Sequence, residues 1–202
     1  HAAARALHRM GRFAEADEAY REALAAYRAL GRRDESADVA IARVDALLHA
    51  GRLAEADRTG RAAHAALRRR DPARAAMVLA NLANVRRAED RHPEAVRLLE
   101  RARPALLAAG RRDLVASVDA NLAMSYSVMA RFDRSQALFV SAGETYRESG
   151  QTALAAQVDY NLAYDHFLQG RLHEARRLLA GARAAFRAAG ARHGLALASL
   201  DE

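Results

Sequence analysis

Apolar residues return at intervals of three and four along this chain, in stretches of roughly 15 to 18 residues. Leu98, Leu99, Ala102 and Leu106 follow that spacing, as do Leu178, Leu179, Ala182 and Phe186. On a helix of about 3.6 residues per turn this spacing is a single apolar stripe. No stretch alternates with period two, so no strand is expected. Between the stretches stand Gly11, Gly31, Gly51, Gly110, Gly150, Gly170 and Gly190. Glycine supplies the positive φ that a helix stop needs. Ala and Arg, both abundant, favour helix. Asp71 reads as a cap ahead of Pro72 in a first turn, and Pro93 as a helix start. Pro104 falls inside a predicted helix and is expected to kink it. The predicted class is all-α.

The stretches recur with a fixed period. Asn-Leu-Ala stands at Asn81–Ala83, Asn121–Ala123 and Asn161–Ala163, forty residues apart each time. Gly-Arg-Phe-Ala-Glu-Ala begins at Gly11, Gly-Arg-Leu-Ala-Glu-Ala at Gly51 and Gly-Arg-Leu-His-Glu-Ala at Gly170. Asp90-Arg-His-Pro-Glu-Ala and Ala130-Arg-Phe-Asp-Arg-Ser occupy the same phase. A second stop follows twenty residues after each of these, except in the second repeat, where Arg70 takes the place after nineteen. A period of this size marks a repeat architecture in which each repeat is a pair of helices. The expected repeats are 1–31, 32–71, 72–111, 112–151 and 152–191, with a partial sixth over 192–202, in one segment.

Composition narrows the class. The 202 residues include no Cys, no Trp and three Pro, and 51% are apolar, largely as Ala. Small side chains suit a thin core spread along a solenoid. No apolar run reaches the roughly 18 residues a membrane span needs. Absence of Cys removes disulfides, thiolate metal sites and Cys nucleophiles, and is compatible with a cytoplasmic location. The net charge is +7, and every Lys/Arg position is Arg. Abundant Arg and Ala fit the codon bias of a GC-rich bacterial genome. The arginines interleave with acids, as at Glu100-Arg101 and Glu174-Ala175-Arg176, which reads as solvated helix faces rather than a nucleic-acid stripe. The chain opens at His1 and ends mid-pattern over Leu195–Glu202 with neither terminal face polar, so an excised segment of a longer protein is expected.

The repeats resemble the tetratricopeptide repeat (TPR). The fourth carries Leu122, Ala123, Tyr126, Ala130, Phe132, Ser135, Phe139 and Ala142 at the positions of the family pattern. The fifth carries Leu162, Ala163, His166, Gly170, Leu172, Ala175, Leu179 and Ala182, and the first Ala4, Leu7, Gly11, Phe13, Ala16, Tyr20 and Ala23. Departures are Arg43 where Leu is expected, Gly60 where an aromatic is expected, and Arg86 where an aromatic is expected. The resemblance implies a right-handed α-solenoid of TPR-like helix-turn-helix repeats, with first helices inside the curve. Long repeats of this kind are similar to those that accompany CHAT (caspase-like) protease or STAND-type NTPase domains in bacterial multidomain proteins.

By that resemblance, Asn81, Asn121 and Asn161 match the groove position that holds bound peptides. A carboxamide both donates and accepts, so it can pair with a peptide backbone without reading side chains. Packed helices lie about 8–10 Å apart and an extended peptide advances about 3.3 Å per residue, so one Asn could meet about every third ligand residue. The neighbours on that face are Met77 and Asn84, then Ser117 and Met124, then Gln157, Tyr160 and Tyr164. The alternatives stay open: Asn can bond a neighbouring repeat and set the stacking angle, and Tyr160 and Tyr164 can be packing residues. Among the histidines, His166 and His173 lie close in sequence but lack a third ligand in recognisable spacing, so no metal and no cofactor is expected. Tyr164-Asp165-His166 does not converge, because adjacent helix positions point to different sides. No phosphate loop or nucleophile elbow is present. The run Arg68-Arg69-Arg70 is expected to end a helix, where cations meet the dipole favourably.

The resulting expectation is a non-catalytic protein- or peptide-binding scaffold or sensor segment of a larger bacterial protein. Its partner would be a protein or peptide, or another domain of the same parent chain. A regulatory segment restraining an attached protease or NTPase is the alternative, and an RNA-binding solenoid a third reading that the Met, Asn and Tyr lining argues against.

Overall fold

The structure, a computed structural model, describes residues 1–191 and 194. Those residues form ten helices and no strand. In order they are α1 (Ala2–Arg9), α2 (Phe13–Ala29), α3 (Arg33–His49), α4 (Leu53–Leu67), α5 (Pro72–Ala88), α6 (His92–Ala108), α7 (Arg112–Val128), α8 (Phe132–Glu148), α9 (Thr152–Leu168) and α10 (Leu172–Ala188). Beyond Gly194, the partial sixth repeat lies outside the described residues. No helix among them is long and apolar enough to cross a membrane.

The chain divides into two compact units, His1–Ala109 and a second beginning at Gly110. In the first, each helix packs on the next, and α3 also touches α5. In the second, α7 to α10 pack consecutively, and α7 touches α9. First helices of neighbouring repeats thus lie side by side at α3 and α5 and at α7 and α9.

The repeated motif can be decoded atom by atom. Gly11, Gly51 and Gly170 have φ of +74°, +72° and +72°, and Asp90 and Ala130 take the same left-handed conformation at +57° and +54°. The residue after each is an arginine whose N–H reaches back five positions: Arg12 to Leu7 O, Arg52 to Leu47 O and Arg131 to Tyr126 O, at 2.9–3.0 Å. This closes the preceding helix with its last carbonyls satisfied. That same arginine is the N-cap residue of the following helix. Its guanidinium then grips the acid three residues on: Arg12 Nε to Glu15 at 2.7 Å, Arg52 Nε to Glu55 at 2.7 Å, Arg91 Nε to Glu94 at 2.8 Å. Next comes an alanine, Ala16, Ala56 or Ala95, with no exposed surface. Turn, cap and close packing thus occupy six consecutive residues.

Helix α6 runs unbroken to Ala108 with Pro104 inside it. Pro104 is exposed, so water can serve the carbonyl that loses its backbone partner. The arginine run stands where α4 ends, with Arg68 as its C-cap residue. It forms the turn after Leu67, where the Arg70 and Asp71 N–H groups both bond Leu67 O at 2.9 and 2.8 Å. That tighter turn uses no left-handed residue and accounts for the nineteen-residue spacing. The Asp71 cap is present: its carboxylate accepts from Arg74 N at 2.9 Å.

The core is thin. In the second unit Phe139, Ala123, Ala142, Tyr146 and Val158 form one buried cluster, and Ala156, Ala182 and Phe186 another. In the first unit Val44, Leu47, Ala56 and Val85 are fully buried together. Each large member stabilises the fold by about 1.5–3 kcal/mol. Gly60 replaces the aromatic of its phase, and Leu82 moves in: a Cβ on Gly60 would lie 2.6 Å from Leu82 Cδ2.

Candidate functional site

Each Asn-Leu-Ala triplet places its three residues differently. Leu82, Leu122 and Leu162 are buried, and Ala83, Ala123 and Ala163 have no exposed surface. Asn81, Asn121 and Asn161 are half-buried at the rim of α5, α7 and α9. The spacing i, i+4, i+7 puts Met77, Asn81 and Asn84 on one face of α5. It does the same for Ser117, Asn121 and Met124 on α7, and for Gln157, Asn161 and Tyr164 on α9. All are half-buried except Tyr164, which is exposed.

In the first unit this face lines a concavity built by α1, α3 and α5. Arg5, His8, Asp38, Asp45, Met77 and Asn81 all contribute to its wall. Asn81 Nδ2 donates to the Ile41 carbonyl of α3 at 3.1 Å. Asn81 therefore ties two repeats together, and its amide oxygen makes no hydrogen bond among the described residues. Asn84 Oδ1 accepts from Arg87 at 3.3 Å.

In the second unit the side chains differ. Asn161 Oδ1 accepts weakly from Gln157 Nε2 at 3.4 Å. The Ser117 hydroxyl is hydrogen-bonded to Tyr146 of α8, and burial pushes the Tyr146 phenol above its ordinary range. Met124 packs against the Phe139 cluster and Tyr160 against Phe186 and its neighbours. Tyr164 stands 54% exposed, stacked on Phe167 with ring centroids 6.3 Å apart. Leu168, at the end of α9, and Leu172, at the start of α10, are exposed apolar residues as well. Phe167 was not singled out from the sequence, although its i+3 spacing from Tyr164 was readable.

Charged groups that the sequence marked only as departures turn out to be paired inside the fold. Asp17, on α2, is 1% exposed. It accepts from Arg43 Nε and from Arg52 Nη1, each at 2.6 Å. Arg43 stands at the Leu position of its repeat, so the cation follows a carboxylate into the core. Forty residues after Asp17, Asp57 plays the same part: it pairs with buried Arg86, which also meets Glu89 at 2.8 Å. In the second unit Ser127 donates to Asp165, a carboxylate with no exposed surface. Asp165 is thus held by α7, away from any catalytic arrangement with Tyr164 and His166.

For metal ligation, the described residues bring together His8, Asp45 and His49 rather than His166 and His173. His166 is buried enough that its imidazole titrates below the ordinary range, with Arg171 adding to the effect.

One family model, described as soluble NSF attachment protein, SNAP, matches residues 57–180. A tetratricopeptide repeat model matches residues 1–34. No curated protein sequence matches the chain. Among solved structures, BtubC (BKLC) from P. vanneervenii is 18% identical with a TM-score of 0.72, over 92% of this chain and 87% of that one. RapI in its apo form is 13% identical with a TM-score of 0.79, over 93% and 69%. The TPR-like repeats of a putative kinesin light chain from P. anserina are 20% identical with a TM-score of 0.69, over 94% of each chain. At these identities the likeness is one of fold: the architecture is that of TPR-like helical repeats.

Proposed function

This chain belongs to the soluble NSF attachment protein family and opens with a tetratricopeptide repeat, and we propose that it is a non-enzymatic docking segment for extended protein or peptide ligands. The observation that carries the reading is the concavity of the first unit, where Met77 and Asn81 share a wall with Arg5, Asp38 and Asp45. Polar groups of both signs beside an apolar side chain suit a peptide, which presents N–H, C=O and side chains together. Asn81 would give its amide oxygen to a ligand N–H while its Nδ2 holds Ile41. Asn121 and Asn161 would present their carboxamides to the ligand from α7 and α9. The Tyr164–Phe167 pair supplies an apolar anchor, because stacked exposed aromatics gain most from being covered.

The test starts from peptides selected out of a displayed random library and titrated into the isotopically labelled full chain. Amide signals on the Asn81, Asn121 and Asn161 faces should shift. Asn121→Ala should weaken binding by about 1–3 kcal/mol for peptides of unlike sequence, since the contact is to backbone. Tyr164→Ala should instead change which peptides are preferred. If Asn121→Ala lowers the melting temperature and leaves the affinity of the folded protein unchanged, the asparagines only set repeat stacking and the docking reading fails.

A further inference from the structure

We propose that His8, Asp45 and His49 form a Zn2+ site that joins α1 to α3. One ligand atom from each residue lies within 4.8 Å of the other two. The tightest approach, His8 Nε2 to Asp45 Oδ2, is 3.3 Å. Two ligand atoms at ordinary Zn–N and Zn–O lengths on a tetrahedron are also about 3.3 Å apart. Asp45 and His49 sit one helical turn apart on α3, with His49 Nδ1 3.5 Å from Asp45 Oδ1. The third group arrives from another repeat. Two imidazoles and one carboxylate are a ligand set that zinc accepts, with the fourth position left to water.

The rings are held in place before any ion arrives. Phe13, the first residue of α2, stacks on His49 at 5.0 Å between centroids, and its edge meets His8 at 5.4 Å. His49 Nδ1 lies 2.9 Å from the Asp45 backbone carbonyl. The site is neither sealed nor fully open: the His8, Asp45 and His49 side chains are 20%, 36% and 49% exposed. Ion pairing between Asp45 and either histidine accounts for one short approach. It does not require both imidazoles to converge on the same carboxylate, and metal binding does.

The experiment is a ZnCl2 titration of the full chain by calorimetry. One equivalent should bind, and Zn2+ should raise the melting temperature. His8→Ala and His49→Ala should each lower the affinity by at least about tenfold, since even the outer partners of a metal ligand are worth that much. His173→Ala, an exposed histidine on α10, should leave it unchanged. A measurement on the unmutated chain guards against variants that misfold: paramagnetic Co2+ should broaden the ring signals of His8 and His49 ahead of the other histidines. Failure to bind one equivalent, binding retained in both variants, or broadening centred on a different pair overturns the site.

Discussion

Replacing Asp17 tests whether the charges found inside the first unit hold it together. Asp17 is almost fully buried, with Arg43 and Arg52 each 2.6 Å away. The two arginines do not weigh equally. The Arg52 side chain is 39% exposed and keeps Glu55 as a partner, so solvent screens its share. The Arg43 side chain is 15% exposed. In Asp17→Ala, Arg43 loses its carboxylate, and its largely buried guanidinium is left without that partner. Breaking a buried pair by removing one partner costs about 3–5 kcal/mol, and the partial exposure on the arginine side puts Asp17→Ala near 3 kcal/mol. On a chain of this length that lowers the melting temperature by roughly 6–12 °C. Urea denaturation of Asp17→Ala, Arg43→Ala and the double variant measures it. Arg43→Ala should also destabilise, and the double variant should lose less than the sum of the two, with a coupling of about 1–3 kcal/mol. Strict additivity, or a loss under about 1 kcal/mol for Asp17→Ala, would show that the cluster is incidental.

Other outcomes can be checked with the same measurements. Ala130→Gly should stabilise by about 0.5–1 kcal/mol in urea, because a left-handed alanine costs about 1–2 kcal/mol and glycine gives back part of that in chain entropy; destabilisation would contradict the turn geometry. Burial, with nearby arginines adding to it, lowers the imidazole pKa of both His64 and His166 from the ordinary 6.5. The unfolded chain therefore takes up protons first, so stability is complete above pH 6.5 and falls as pH drops through that value toward the folded pKa. The carboxylates clasped by arginine titrate below 4.5 and lose their contribution only at lower pH. Unfolding midpoints between pH 7.5 and 5.5 should decline, and His166→Gln should flatten the decline; a rise on acidification would refute the assignment.

The fold was legible because its signals are local. A glycine stop, an arginine cap and a buried alanine stand within six residues, and their forty-residue return announces helix pairs before any packing is known. Even Asp90 and Ala130 could be assigned to turns by phase alone, although neither residue suggests positive φ. What stayed hidden depends on contacts between repeats. Arg43 and Arg86 looked like breaks in an apolar pattern, since their acids lie 26 and 29 residues away on another helix. The charge pattern read as solvated faces, which is right for Arg12 and Glu15 and wrong for Asp17. For metal ligands, sequence proximity drew attention to His166 and His173. His8 lies 37 residues before Asp45 and becomes its neighbour only when α1 packs beside α3. The asparagines were legible as a row, but the bond from Asn81 to the Ile41 carbonyl was not.

The paired charges also bear on how such an array can change over time. A repeat whose interface is alanine and leucine can be duplicated, deleted or moved, because one oily surface fits another. Asp17 and Arg43 belong to successive repeats, and so do Asp57 and Arg86. Transposing the second repeat would set a buried acid against leucine and leave a cation facing the wrong neighbour. The first three repeats are therefore keyed to one order. At Leu122 and Leu162 the position of Arg43 is apolar, and the buried link between those repeats runs from Ser127 to Asp165 instead, a hydroxyl on a carboxylate rather than two opposite charges.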